Sequence, residues 1–394
     1  MILRFASACI RAICTATVRR FLVFEKGGVC VRKIGDTLIF TSSDMPFVKR
    51  FGIEEATKMV GDFYAEHDLP FLFDTYQLSS ELGLRRKTLF SLTRNPEKLY
   101  YPVTLSKKNG GTRKLHVPFT VLRGIQRHIL NAILNKLPVS SYATAYRRKH
   151  QPLHNAAPHC GKRYLLKMDI RDFFGSIRFD QVYRAAFHTR HFPVQIGAML
   201  TSLCCYQERL PQGAPTSPAL SNLVMKHFDE QMGEWCQKQG IAYTRYSDDL
   251  TFSADVPLYH VYKKAKAFLE HMGFELNDKK THFITNASQQ SVTGLVVNGD
   301  TPTVSRKTRR ALRQELYYVQ KYGLGDAIMR GNRTAFIKDG RPLVYRYLNH
   351  LEGRVGYMLH VMGEDDELKN ALQMLHRRRQ NLLIDAGVVL CDDD

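Results

Sequence analysis

Residues 243–253 read Tyr-Thr-Arg-Tyr-Ser-Asp-Asp-Leu-Thr-Phe-Ser, two β-prone runs that meet at a pair of adjacent acids. The aromatic and β-branched content on both sides predicts a tight hairpin whose turn carries Asp248 and Asp249. At an isolated turn such a pair repels and points into water. Here the flanks are apolar, which implies a hairpin packed in a core, and a buried carboxylate pair needs a cation to neutralise it.

Working outward, Tyr164-Leu-Leu-Lys-Met-Asp169 is an apolar strand ending in a carboxylate, followed by Asp172 and Phe173-Phe174. Taken alone, an acid after a strand is more often a cap or turn residue. Beside the hairpin, Asp169 completes a set of three carboxylates. Hard oxygen ligands select Mg²⁺, with Mn²⁺ as substitute, over zinc. Two such ions suit activation of a 3′-hydroxyl and stabilisation of a leaving pyrophosphate. Between the acids, Leu210-Pro-Gln-Gly-Ala-Pro-Thr-Ser-Pro-Ala-Leu-Ser-Asn222 opens a long helix to about Gln239, with Ser217 or Thr216 as its cap. Its N-terminal N–H groups suit phosphate; a plain loop leading into a helix is the alternative.

The chain has 394 residues, 44% of them hydrophobic, enough for one large core or two to three modest ones, which excludes a wholly disordered chain. Lys and Arg total 57 against 37 Asp and Glu, a net charge of +20 that favours polyanionic partners. The eight cysteines contain no Cys-x-x-Cys pair and read as reduced thiols of a cytosolic protein. No uncharged apolar stretch reaches the roughly 18–20 residues of a membrane helix, so no membrane span is expected. The first twenty residues hold four arginines and no acid, a faint transit-peptide pattern that reads better as an ordinary amphipathic or strand segment.

Helical spacing recurs from Ile53 to His67, from Tyr76 to Thr93 and from Phe119 to Leu137. Between the last two, Ser106-Lys-Lys-Asn-Gly-Gly-Thr-Arg-Lys114 is a basic turn with two glycines, the expected tip of a hairpin. Short strands alternate with helices from Arg163 to Thr251, and beyond Pro302 the pattern is helical and basic. The fold class expected is α+β, with an N-terminal extension of unassigned role (1–70), a mixed body (71–299) and a helical module (300–394).

The order strand-Asp, Pro-Gln-Gly helix start and Tyr-x-Asp-Asp hairpin resembles a reverse transcriptase. More narrowly, Asn155-Ala-Ala-Pro-His159 is similar to the Asn-Ala-x-x-His element of retron reverse transcriptases, and Val292-Thr-Gly294 to their Val-Thr-Gly element. The resemblance covers roughly residues 75–380. It implies a right-hand polymerase with fingers, a palm built on an antiparallel sheet with helices, and a helical RNA-binding thumb. It implies two Mg²⁺ on Asp169, Asp248 and Asp249. Phe174 matches the gate against a ribose 2′-hydroxyl, and Gln212 the glutamine that meets incoming nucleotide and template. Arg113 and Lys108 match the residues that neutralise the triphosphate. Asn277-Asp-Lys-Lys-Thr281 resembles a motif whose lysine, here Lys280, protonates pyrophosphate, with a solvated lysine as the alternative. Ser247 stands where alanine is commoner in the family, and Gly175 where proline is frequent.

The resemblance further implies a structured noncoding RNA, part of which is copied from dNTPs into branched multicopy single-stranded DNA primed by an RNA 2′-hydroxyl. It implies anti-phage defence beside an accessory effector protein. Asn155 and His159, and in the last module Arg306, Lys307, Arg309, Arg310 and Arg313 with Tyr317 and Tyr318, are the expected RNA contacts. Two rivals stand beside this reading. One is a group II intron-like or diversity-generating reverse transcriptase. The other is a non-catalytic RNA-binding scaffold that restrains an effector, for which three clustered acids have no use.

Overall fold

The computed structural model describes residues 44–106 and 110–385, with the backbone of three short strands between residues 23 and 41. Two compact units divide the chain, each assembled from separated segments: residues up to 139 with 172–225, and residues 140–171 with 226 onward. Among the described residues, no helix is long and apolar enough to cross a membrane.

In the first unit, β1 (Val23–Glu25) pairs in parallel with β3 (Thr37–Thr41), which pairs antiparallel with β2 (Arg32–Ile34). The helices Met45–Phe51 and Ile53–Glu66 follow, separated by Gly52 at φ 81°, a value an L-residue adopts only with strain. Phe47, Val48, Ala56 and Val60 form one core with Phe71, against which Phe51 and Phe73 pack. The buried Asp44 carboxylate also accepts a 2.9 Å hydrogen bond from Gln77 Nε2. The chain position near 70 thus falls inside a single aromatic core.

Asp74 caps the helix Thr75–Glu81 by accepting from the N–H groups of Tyr76 and Gln77. The helix Arg86–Arg94 leads to β4 (Tyr100–Ser106), which pairs antiparallel with β5 (Thr112–Pro118) from Tyr100↔Pro118 to Ser106↔Thr112. The expected hairpin is present, and Gly110 and Gly111 both take positive φ between its strands. Buried Gln126, on the helix Thr120–Ala132, donates to Tyr100 Oη and to the Leu203 carbonyl on the helix Val194–Cys204, both at 2.8 Å.

The second unit is built on β6 (Tyr164–Asp169), β7 (Ala242–Tyr246), β8 (Asp249–Ala254) and β9 (His282–Thr285), in the order β7-β8-β6-β9 and antiparallel throughout. Central β6 is largely buried, which accounts for its apolar residues Leu165, Leu166 and Met168 on either side of Lys167. A meander follows, β10 (Ser291–Val292), β11 (Leu295–Val296) and β12 (Thr303–Val304), turning at Thr293 (φ 47°) and Gly294 (φ 85°).

Its core continues into the helices Arg306–Arg330, Val344–Met362 and Asp366–Asp385 through Leu312, Val319, Leu348, Leu351, Val355 and Leu375. Full burial of each such side chain contributes about 1.5–3 kcal/mol, which holds these basic helices to the unit despite their charge. Glu315, buried among them, accepts from Arg354 at 2.7 Å and pairs with Arg333 at 2.9 Å.

Candidate active site

Antiparallel register sets Asp169, the last residue of β6, directly opposite Asp249, the first of β8. The β7–β8 ladder closes at Tyr246↔Asp249, leaving Ser247 and Asp248 as a two-residue turn. Sequence reading put both acids in the turn; strand pairing instead draws Asp249 into the sheet. Ser247 holds φ at 62°, the conformation that such short hairpin turns demand. The backbones of the acids are fixed from outside the hairpin: Ile170 N–H donates to the Asp248 carbonyl at 3.0 Å, and Asn277 N–H to the Asp169 carbonyl at 2.8 Å.

Lys280 Nζ lies 2.6 Å from Asp169 Oδ2, and this hydrogen bond raises the ammonium pKa above its ordinary value. The Asp249 carboxyl is pushed up to about 6, first by burial and then by Asp248 and Asp169, while Lys167 and Lys280 pull the other way. Lys167 stands two residues before Asp169 and therefore on the same face of β6. Among the described residues, no three His, Cys, Asp or Glu side chains converge on one metal position. The cation on Asp169 here is Lys280. The donor set itself, three carboxylates whose mutual repulsion already raises the proton affinity of one, suits a hard divalent ion.

Behind the turn lies a charged group that sequence reading passed over. Arg245 is fully buried; its Nε and Nη2 donate to Asp229 Oδ1 and Oδ2 at 2.8 and 2.6 Å, and its Nη1 to the Ser247 carbonyl at 3.0 Å. Tyr243 Oη donates to the same Asp229 carboxylate at 2.8 Å. Tyr146 Oη meets Ser247 Oγ at 3.0 Å. The turn carrying Asp248 is thereby clamped from two sides. The available signal was an arginine inside the apolar run Tyr243–Tyr246, because a buried guanidinium requires a buried acid.

Comparison with known proteins agrees with this arrangement. Residues 105–301 match the family described as reverse transcriptase (RNA-dependent DNA polymerase). The retron Ec86 reverse transcriptase of Escherichia coli is 32% identical over 257 residues, 64% of this chain and 79% of that one. The chain belongs to the retron reverse transcriptases. The retron Mx65 reverse transcriptase of Myxococcus xanthus is 35% identical over 277 residues, 64% of each chain, and the retron Se72 enzyme of Salmonella heidelberg 28% over 255. The activity is that of an RNA-directed DNA polymerase, which copies an RNA template into DNA from dNTPs.

In this retron reverse transcriptase the Asn-Ala-x-x-His element is interior, which corrects the expectation that Asn155 and His159 touch RNA. Both are buried. Asn155 Oδ1 accepts from Thr144 Oγ1 at 2.7 Å, and the two ring nitrogens of His159 meet Ser253 Oγ and Thr244 Oγ1, each at 2.8 Å. Burial holds the His159 ring neutral, its pKa lowered to about 3. Thr293 Oγ1 of the Val-Thr-Gly turn donates to the Pro152 carbonyl at 3.1 Å, where the short helix Pro152–Ala156 begins. The two elements therefore brace β7, β8 and the meander from within.

The remaining site residues of the retron reverse transcriptase lie apart along the chain. In the first unit, Phe174 is half-buried beside buried Phe173, with ring centroids 5.4 Å apart, after Asp172 in the left-handed region (φ 42°). A Cβ on Gly175 would sit 2.3 Å from an Asp172 carboxylate oxygen, so glycine relieves this short turn of a clash. Half-buried Gln212 accepts through its main-chain carbonyl from the main-chain N–H of His116 on β5 at 2.8 Å. Ser217 does not cap its helix through an accepted N–H; its hydroxyl donates to the Pro211 carbonyl at 2.7 Å. Arg113 is exposed on β5 opposite Leu105. Lys108 lies outside the described residues.

In the second unit, Arg306, Lys307 and Arg310 are exposed and Arg309 half-buried on the first turns of their helix. Arg313 is drawn into an ion pair with Glu367. Tyr317 is exposed, with Lys321 over its ring at 5.5 Å.

Proposed function

We propose that this reverse transcriptase copies part of a structured noncoding RNA into branched multicopy single-stranded DNA, primed from an RNA 2′-hydroxyl, in the bacterial cytoplasm. Anti-phage defence beside an effector protein belongs to the same reading. The observation that carries it is the pairing of Asp169 with Asp249 across β6 and β8, with Asp248 in the clamped turn between β7 and β8. The four-stranded sheet acts as the palm within residues 71–299, and the helices after residue 300 as the thumb.

Asp169, Asp248 and Asp249 would hold two magnesium ions, with manganese as substitute. When bound, the ions supply Lewis-acid activation of the attacking hydroxyl and neutralise charge developing on the triphosphate. The chain's own residues do the rest. Lys280, charged and already beside Asp169, presents a proton at Nζ to the departing pyrophosphate. Phe174 excludes a ribose 2′-hydroxyl, Gln212 meets the incoming nucleotide and template, and Arg113 with Lys108 takes up triphosphate charge. Arg306, Lys307, Arg309, Arg310 and Arg313 grip RNA phosphates.

Replacing Asp248 and Asp249 together by Asn tests this reading. DNA synthesis on an RNA template in magnesium is expected to be abolished while RNA affinity is retained. Undiminished synthesis would remove the acids from the reaction.

A further inference from the structure

We propose that a notch at the end of the sheet remote from the acids binds an unstacked base of single-stranded nucleic acid. The notch, about 250 Å³, is lined by Tyr164, Leu165, Leu258, Tyr259, Phe283 and Ile284 among others. Tyr164 opens β6 and pairs with Thr285 at the end of β9. Asp169 is five residues further along β6, about 16 Å at the usual rise per strand residue. The notch is therefore separate from the carboxylate site, and its volume, below that of most drug-sized pockets, suits one planar heterocycle.

The rim combines exposed rings with unneutralised cations. Tyr259 is 57% and Phe283 52% exposed, and their centroids lie 6.3 Å apart. Arg163 stands over the Tyr164 ring at 5.4 Å, and Lys263 over Tyr259 at 4.9 Å. The acids nearby are already engaged, Asp255 by Lys162 at 3.1 Å and Glu270 by Lys266 at 3.9 Å. Among the described residues, neither Arg163 nor Lys263 forms an ion pair. Aromatic faces that accept a base, edged by cations that accept its phosphates, are how single strands are held without regard to sequence.

Because β9 is the outermost strand of its sheet, an apolar peptide adding as a fifth strand is the rival occupant. The two unneutralised cations favour the nucleic acid.

The test uses the full chain in magnesium-free buffer with oligodeoxythymidylate and oligouridylate of about a dozen nucleotides, site sizes typical of such folds, and abasic strands of equal length. The wild-type chain is expected to bind base-bearing strands about tenfold more tightly than abasic ones, the effect of one base–aromatic stack. The double variant Tyr259→Ala, Phe283→Ala is expected to lose that preference, and Tyr259→Phe, Phe283→Tyr to keep it. The thymidylate and uridylate arms report whether DNA or RNA is preferred. Equal affinity of the wild type for base-bearing and abasic strands overturns the proposal without any variant. So does a preference that survives removal of both rings, or binding of a strand-forming apolar peptide that the double variant abolishes while oligonucleotide binding stays unchanged. Primer extension, read separately, tests polymerisation alone.

Discussion

The buried Asp229–Arg245 pair offers the sharpest test of how the hairpin turn is held. Asp229 accepts three hydrogen bonds, from Tyr243 Oη and from two nitrogens of Arg245, and both charged side chains are fully buried. Asp229→Asn keeps the shape and removes the charge, leaving a guanidinium buried without its counter-ion, at a cost of about 3–5 kcal/mol. In thermal unfolding of a chain of this length this corresponds to a melting point lowered by roughly 4–6 °C.

The triple variant Asp229→Leu, Arg245→Met, Tyr243→Phe removes these buried polar side-chain atoms together, takes the Arg245 donor from the Ser247 carbonyl, and should return to within about 1–3 kcal/mol of the parent. Its DNA synthesis is nevertheless expected to stay depressed, because the turn carrying Asp248 has lost its anchor. Urea and thermal unfolding at pH 7, run beside primer extension, separate the two effects. An Asp229→Asn chain within 1 kcal/mol of the parent would refute the energetic reasoning. Full synthesis by the triple variant would refute the anchoring role.

Two further outcomes are expected. Phe174→Ala should raise ribonucleotide incorporation relative to deoxynucleotide incorporation in primer extension, and an unchanged ratio would remove this ring from the gate. The neutral, buried His159 should make the chain acid-sensitive. Its pKa is lowered to about 3 from an ordinary 6.5, so the unfolded chain binds the extra proton first, and stability present above pH 6.5 is lost as pH falls toward 3. The loss attributable to this ring between about pH 7.5 and pH 5 is about 2 kcal/mol, measured as the difference between the parent and a His159→Gln chain in the stability lost over that interval. Parallel pH profiles would sink the assignment.

Legibility in the sequence followed the physics of each element. β6, β7 and β8 were readable because strands buried on both sides must be apolar, and the carboxylates at their ends stood out against that background. Which acid enters the ladder was not readable, since one residue of register moves Asp249 between turn and strand. Asn155 and His159 were legible as a motif but not as interior groups. Their partners Thr144, Thr244 and Ser253, the last two on the paired strands β7 and β8, are ordinary residues singly. Asp229 was hidden for the same reason, within a helix whose other face is solvated. The aromatic core that joins Phe47 to Phe71 ties the end of the 1–70 extension to the residues that follow it, through contacts that spacing along the chain does not show.

The place of β6 in its sheet has a consequence for synthesis on the ribosome. Both of its neighbours, β8 and β9, lie later in the chain. When Asp169 leaves the exit tunnel, the strand has two open edges, and its first complete neighbour arrives about 85 residues later, roughly 4–17 s at ordinary elongation rates. For that interval an apolar strand with unpaired backbone is exposed to other nascent copies, the situation that leads to edge-to-edge aggregation. Slower initiation, lower temperature or a holding chaperone should raise the yield of folded enzyme more than any change to the finished surface would.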